Sequence, residues 1–235
     1  MPISDSVQVA TKIPILYEDE ILIAIDKPAG IPTQATLDKK RPHIYGLLQK
    51  QLQEKDVDSY LALHHRLDKD TSGVLIFCKD KNYNEALSLM FKNHEFEKIY
   101  WALSEKKKEP EKKSWTLKTH LSEKPAPRSQ RMSMHSVRSG GKIAITDLKI
   151  LKNYKKLILM EAKPKTGRMH QIRVHLAEAG LPILGDDLYN SKSALRAPRM
   201  MLHAHQLIFK HPKTCEELTI TSPLPKDFTE LLEAT

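Results

Sequence analysis

Apolar residues in this chain cluster in short runs more often than they repeat along a helical stripe. Residues 21–26 read ILIAID, and Lys27-Pro28-Ala29-Gly30 halts the run, which predicts a buried strand ending in a turn. Ile44, Leu47, Leu48 and Leu52 recur at helical spacing. LALHH (61–65) leads into the polar stretch RLDKDTSG, and Gly73 opens a second strand, VLIFC. Residues 83–91 predict an amphipathic helix with Ala86, Leu87, Met90 and Phe91 on one face, and IYWALS (99–104) predicts a strand. The segment 144–164 divides into two strands around a turn at Asn153-Tyr154. HQIRVHLAEAG (170–180) predicts a helix stopped by Gly180 with Pro182 just beyond. LHAHQLIF and ELTITS supply two late strands joined by HPKTCE.

Strands outnumber helices, and short turns join several neighbours. The expected class is therefore α+β, a mixed and largely antiparallel sheet with helices packed on it. No GxxxxGK[ST] or GxGxxG occurs, so a nucleotide cofactor has no evident seat. Residues 105–142 differ in texture. EKKKEPEKKSW is a charge run that predicts a solvated loop. KPAPRSQRMSMHSVRSGGK, with Arg128, Arg131 and Arg138, predicts either hairpin tips or a loop that contacts RNA.

Composition narrows the partner. Forty per cent apolar and 29% charged residues over 235 positions suit a globular core, and 38 Lys+Arg against 29 Asp+Glu give +9. Such an excess favours a polyanion, because each neutralised phosphate releases condensed counterions. Two cysteines make no disulfide framework, and Cys78, inside an apolar run, reads as a buried thiol. No apolar stretch approaches the roughly 20 residues that span a bilayer, and the first residues lack a secretory pattern. The expected address is the cytoplasm.

Reactive side chains gather in two segments. His64-His65-Arg66-Leu67-Asp68-Lys69-Asp70-Thr71-Ser72-Gly73 puts two carboxylates, two histidines and an arginine on a polar loop between apolar runs. Asp70 and Ser72 are expected to cap local backbone donors, whereas Asp68 is open to either a structural or a reactive role. Lys165-Thr166-Gly167-Arg168-Met169-His170-Gln171-Ile172-Arg173-Val174-His175 brings two arginines into the start of a helix. The helix dipole favours anions there, so these arginines call for a carboxylate or phosphate elsewhere. His170 and His175 do not have metal-ligand spacing, and no metal is expected.

HRLDKDTSGVLIFCKD resembles the signature of the RluA-type pseudouridine synthases. AIDKPAGIPTQ, EKIYWALS, KTGRMHQIRVHLAEAGLPILGDDLY and MLHAHQLIFKHP resemble that family's other motifs, in the family's order, across roughly residues 15–225. The resemblance implies a single catalytic domain over 1–235, a sheet in two halves with an RNA cleft between them, and no separate S4-type RNA-binding domain.

It further implies isomerisation of uridines in structured ribosomal or transfer RNA, by a monomer that uses no cofactor. Asp68 matches the catalytic aspartate, and Tyr100 the tyrosine that meets the uracil and carries the C5 proton. Read from the sequence alone, Tyr100 could equally be a half-buried strand aromatic. Arg168 is expected to pair with Asp68. Arg173 lies about 140° further round a helix and is expected to contact RNA instead. Arg66 is expected to enter the space left by a flipped base, or else to pair with Asp68 or Asp70. His65, Thr71 and His170 are expected to shape the loop or the RNA path.

Overall fold

Strands buried on both faces need continuous apolar runs, and two such runs form the centre of one half of the molecule. A computed structural model describes residues 12–38, 40–106, 109, 111–125, 132–190 and 195–234. β1 (Ile15–Glu18) pairs with β2 (Leu22–Lys27), and β2 with β4 (Ser72–Cys78), both antiparallel; β3 (Ala62–Leu63) adds to β4. Ile23, Ile25, Leu75 and Phe77 point to one face and pack on α1 (Ile44–Gln53). Leu22, Ala24, Val74 and Ile76 point to the other, where Leu87 of α2 (Asn84–Lys92) joins them. Cys78 is buried in this layer.

The sheet continues through β10 (Leu202–Lys210), β5 (Glu97–Glu105), β9 (Leu157–Pro164), β8 (Lys142–Asn153), β6 (Ser114–Pro125) and β7 (Met132–Val137), with β11 (Glu217–Thr221) on β10. β4 and β10 form the one parallel pairing among the described strands. The second half packs its core on α3 (Gln171–Glu178) and α4 (Lys226–Glu233), around Leu103, Ile158, Leu176, Met201 and Phe228. A largely antiparallel sheet of 11 strands in two halves is the α+β architecture expected.

Several elements depart from the sequence reading. The segment read as a solvated loop followed by hairpin tips or an RNA-contacting loop contains β6 and β7, paired along six residues each, and β6 pairs with β8 along eight. Trp115, Leu117 and Leu121 supply the inward positions of β6, too few and too spaced among Lys, Thr and His to form a run. β1 and α4 also lay outside the elements read from the pattern. Arg128 and Arg131 lie outside the described residues, and Arg138 is exposed just after β7.

Gly73 shows why the two halves meet as closely as they do. Its φ is +112°, and a Cβ there would sit 2.2 Å from the Ala204 carbonyl oxygen. Only glycine takes this backbone conformation and lets β10 approach.

Candidate active site

The loop between β3 and β4 carries Asp68, and its shape is fixed from below. Lys27, fully buried at the end of β2, donates its three ammonium protons to the carbonyls of Pro28 (2.9 Å), Lys69 (3.0 Å) and Thr71 (2.8 Å). Burial pulls its pKa down to about 7, with Asp70 and Asp68 opposing that. The Gly30 N–H reaches Lys69 O at 2.9 Å, and the Thr33 hydroxyl donates to Leu67 O (2.8 Å) while accepting from Leu67 N–H (3.2 Å). The segment 27–33 is thus a cradle that holds the backbone on both sides of Asp68.

Arg173, in the first turn of α3, supplies the countercharge. Its Nη1 donates to Asp68 Oδ2 at 3.0 Å. Its Nε and Nη2 donate to the two oxygens of Asp186 at 2.8 and 2.9 Å, a fork-to-fork pairing that sets the guanidinium plane. The Asp186 side chain is fully buried, and its Oδ1 also accepts from the Leu188 and Tyr189 N–H groups. Burial alone would lower the Arg173 pKa; Asp186, and then Asp68, more than reverse that and raise it. No hydrogen bond among the described residues engages Asp68 Oδ1.

His170 stands beside this pair in a left-handed conformation, φ 51°. The Tyr189 hydroxyl accepts from Met134 N–H at 2.7 Å and lies 3.0 Å from His170 Nδ1. We therefore assign the hydroxyl as donor to Nδ1, which leaves the proton on Nε2, 3.8 Å from Asp68 Oδ2. Burial lowers the His170 pKa, against the pull of Asp68. Tyr100 projects from β5 into the same space; burial, then the charge of Asp68, raises its phenol. A cleft of about 700 Å³ results, lined by Arg66, Asp68, Tyr100, Arg168, His170 and Arg173 among others.

The structure corrects the choice of arginine. Arg168 does not reach Asp68: it precedes α3, its Nε donates to Ile143 O at 2.9 Å, and its backbone N–H is taken by Gln171 Oε1 at 3.1 Å. Arg173 occupies the position expected of it, so the guanidinium expected on RNA is instead consumed by two carboxylates. His65 lines the cleft and is held inward. Its Nε2 accepts from Ile76 N–H at 3.0 Å, it stacks on Phe91 at 4.8 Å, and burial pushes it down to about 3. Thr71 is buried and shapes the loop through its carbonyl on Lys27.

Ser72 caps no local donor; its hydroxyl meets His203 Nδ1 at 2.9 Å. Arg66 is exposed on the cleft rim and, among the described residues, pairs with neither Asp68 nor Asp70. Lys27, Thr33, Asp186 and Tyr189 were not singled out from the sequence. Lys27 reads there as a strand end, and Asp186 as one of several carboxylates after a glycine. No group of three or more His, Cys, Asp or Glu suited to a metal occurs among the described residues.

A carboxylate held by a buried arginine, facing a tyrosine across a cleft between two halves of a mixed sheet, defines an enzyme site sized for a nucleotide. Residues 21–178 match the RNA pseudouridylate synthase family, and the chain belongs to that family. It is an RNA pseudouridine isomerase. An uncharacterized RNA pseudouridine synthase of Zymomonas mobilis is 36% identical over 92% of this chain and 96% of its own length. Ribosomal large subunit pseudouridine synthase C of Buchnera aphidicola is 36% identical over 93% of this chain and 69% of its own. The solved structure of human RNA pseudouridylate synthase domain containing 4 is 29% identical, with a TM-score of 0.75 over 94% of this chain and 92% of that one. No helix among the described residues is long and apolar enough to cross a membrane.

Proposed function

We propose that the chain isomerises specific uridines of ribosomal RNA, with Asp68 as the group that acts at C1′. The observation that carries this reading is the Asp68–Arg173–Asp186 chain at the floor of the cleft. Isomerisation breaks the N1–C1′ bond, turns the uracil, joins C5 to C1′ and moves the C5 proton. No electrons are consumed, so the chemistry as written calls for no redox cofactor.

An ionised carboxylate is needed at C1′, and Arg173 donates a charge-assisted hydrogen bond to Asp68 Oδ2 at 3.0 Å. Tyr100 contacts the detached uracil and carries the C5 proton. A stacked uridine must leave its helix to reach Asp68, at a cost of a few kcal/mol. Arg66, exposed beside the carboxylate, fills the vacated space. The names of relatives such as the Buchnera enzyme favour the large ribosomal subunit over transfer RNA. We place the enzyme in the cytoplasm, as a monomer.

The test is to map pseudouridines in total RNA from wild-type cells and from cells lacking the gene. One or a few ribosomal positions should be lost. The wild-type gene should restore them, and Asp68→Asn should not, although its RNA affinity stays within a few fold. Loss confined to transfer RNA would change the substrate. Restoration by Asp68→Asn would remove Asp68 from the chemistry.

A further inference from the structure

Lys98 is a half-buried cation without a counterion among the described residues. It lies two residues before Tyr100 on β5, so both side chains leave the same face of the sheet toward the same cleft. Among the described residues no acceptor or carboxylate meets its ammonium; desolvation lowers its pKa, and no nearby charge acts to restore it. Its Nζ lies 3.9 Å from the place a Cβ on Gly167 would take, against the turn that bears Arg168. Arg168 spends Nε on Ile143 O and has no hydrogen bond from its two terminal nitrogens among the described residues. Among the described residues Asp68 is the only carboxylate lining the cleft, and Arg173 already holds it. A partly desolvated ammonium without a partner is unfavourable in the free protein, so this arrangement is one that an incoming anion completes.

We propose that Lys98 and Arg168 form a binding site for one RNA backbone phosphate beside the target uridine, distinct from the pocket in which the base reacts. The site rests on the reading of the cleft given above and adds a part to it. It fixes where the ribose lies relative to Tyr100 and Asp68, through a charge-assisted contact to a phosphate. Arg168, which does not serve Asp68, thereby has a role at the same cleft. Lys98 positions substrate and takes no part in bond making.

The experiment uses the whole chain and a short stem-loop containing the uridine that mapping identifies. Phosphates from two positions before the target to two after it are replaced one at a time by uncharged methylphosphonates. Tritium release and binding are measured for wild type, Lys98→Met, Lys98→Arg and Arg168→Met. With wild type, one position should raise KM or Kd by about tenfold, as expected for one charge-assisted contact. Lys98→Met and Arg168→Met should each show part of that loss on unmodified RNA, and a smaller further loss at that position than wild type shows. The log–log salt slope of Lys98→Met should be shallower by about one phosphate. Lys98→Arg should recover most of the affinity. Lys98→Met should also be at least as resistant to thermal unfolding as wild type, because an unpaired cation has been removed; a misfolded variant would show the reverse.

If Lys98→Met keeps wild-type sensitivity at every position, the phosphate site is wrong while the isomerase reading stands. If wild-type protein releases no tritium from any RNA, the reading of the cleft fails and the site falls with it.

Discussion

Arg173 and Arg168 show what a residue-scale reading of the sequence could deliver. Both stood in one motif, and the angle between them on a continuous helix argued against both facing Asp68. The choice depended on where α3 begins. It begins at Gln171, whose side chain folds back on Thr166 (2.7 Å) and on the Arg168 N–H (3.1 Å), so Arg168 belongs to the turn and Arg173 to the helix. The countercharge for Arg173, Asp186, sits 13 residues further along in an irregular segment with no periodicity to mark it. Asp68 and Tyr100, by contrast, were legible by resemblance because their motifs are local. The pairing makes a stability prediction. Arg173→Met should leave the buried Asp186 carboxylate uncompensated and cost about 3–5 kcal/mol, as for other broken buried pairs. Adding Asp186→Asn should recover a large part of that in urea unfolding, without recovering turnover. A double variant no more stable than Arg173→Met would show that the buried charge is not the source of the loss.

Among elements, legibility followed burial. β2 and β4 are buried on both faces and appeared as unbroken apolar runs, and α1 and α2 showed their stripes. β6 and β7 are held mainly by backbone hydrogen bonds to each other and to β8, which any sequence can make, and their side chains are mostly polar. Composition there pointed to loops because the ladder leaves no compositional mark. β4–β10 pairing, between Gly73 and Ala204, is equally invisible in sequence, since the partners lie far apart along the chain. Gly73 tests it. Gly73→Ala places a Cβ 2.2 Å from Ala204 O at a φ of +112°, so β10 must shift or the residue must change conformation. Strain and overpacking together should cost about 3 kcal/mol or more, measured by urea unfolding. Turnover should fall as well, because Asp68 lies on the loop that leads into β4. A change under about 0.5 kcal/mol, the range of neutral surface substitutions, would mean the close approach is not tight.

For the molecule as a whole, charge and burial work against each other as pH changes. The +9 balance that suits RNA was legible from composition. What composition could not show is that burial lowers the pKa of six described histidines: His64, His65, His170, His175, His203 and His205. For His65 the value falls to about 3 and for His203 to about 4. An unfolded chain titrates such residues near 6.5. Between 6.5 and about 4 the unfolded state therefore binds protons at these two positions that the native state refuses, and stability rises with pH across that window. The stabilising effect is complete above about 6.5 and is lost as the solution is acidified. Each neutral histidine contributes up to about 1.4 kcal/mol per pH unit. Lys27, drawn down to about 7 by burial, extends the same sign upward, because its unfolded form stays protonated to about 10.4. Unfolding free energies from urea titrations at pH 7, 6 and 5 should thus fall steadily. His65→Gln keeps an acceptor for Ile76 N–H but cannot titrate. It should begin somewhat less stable at pH 7 and then lose about 1 kcal/mol less per pH unit than wild type. Parallel lines for the two proteins would show that His65 is protonated alike in both states, and would overturn the assignment of a neutral, inward-bonded ring on the loop that carries Asp68.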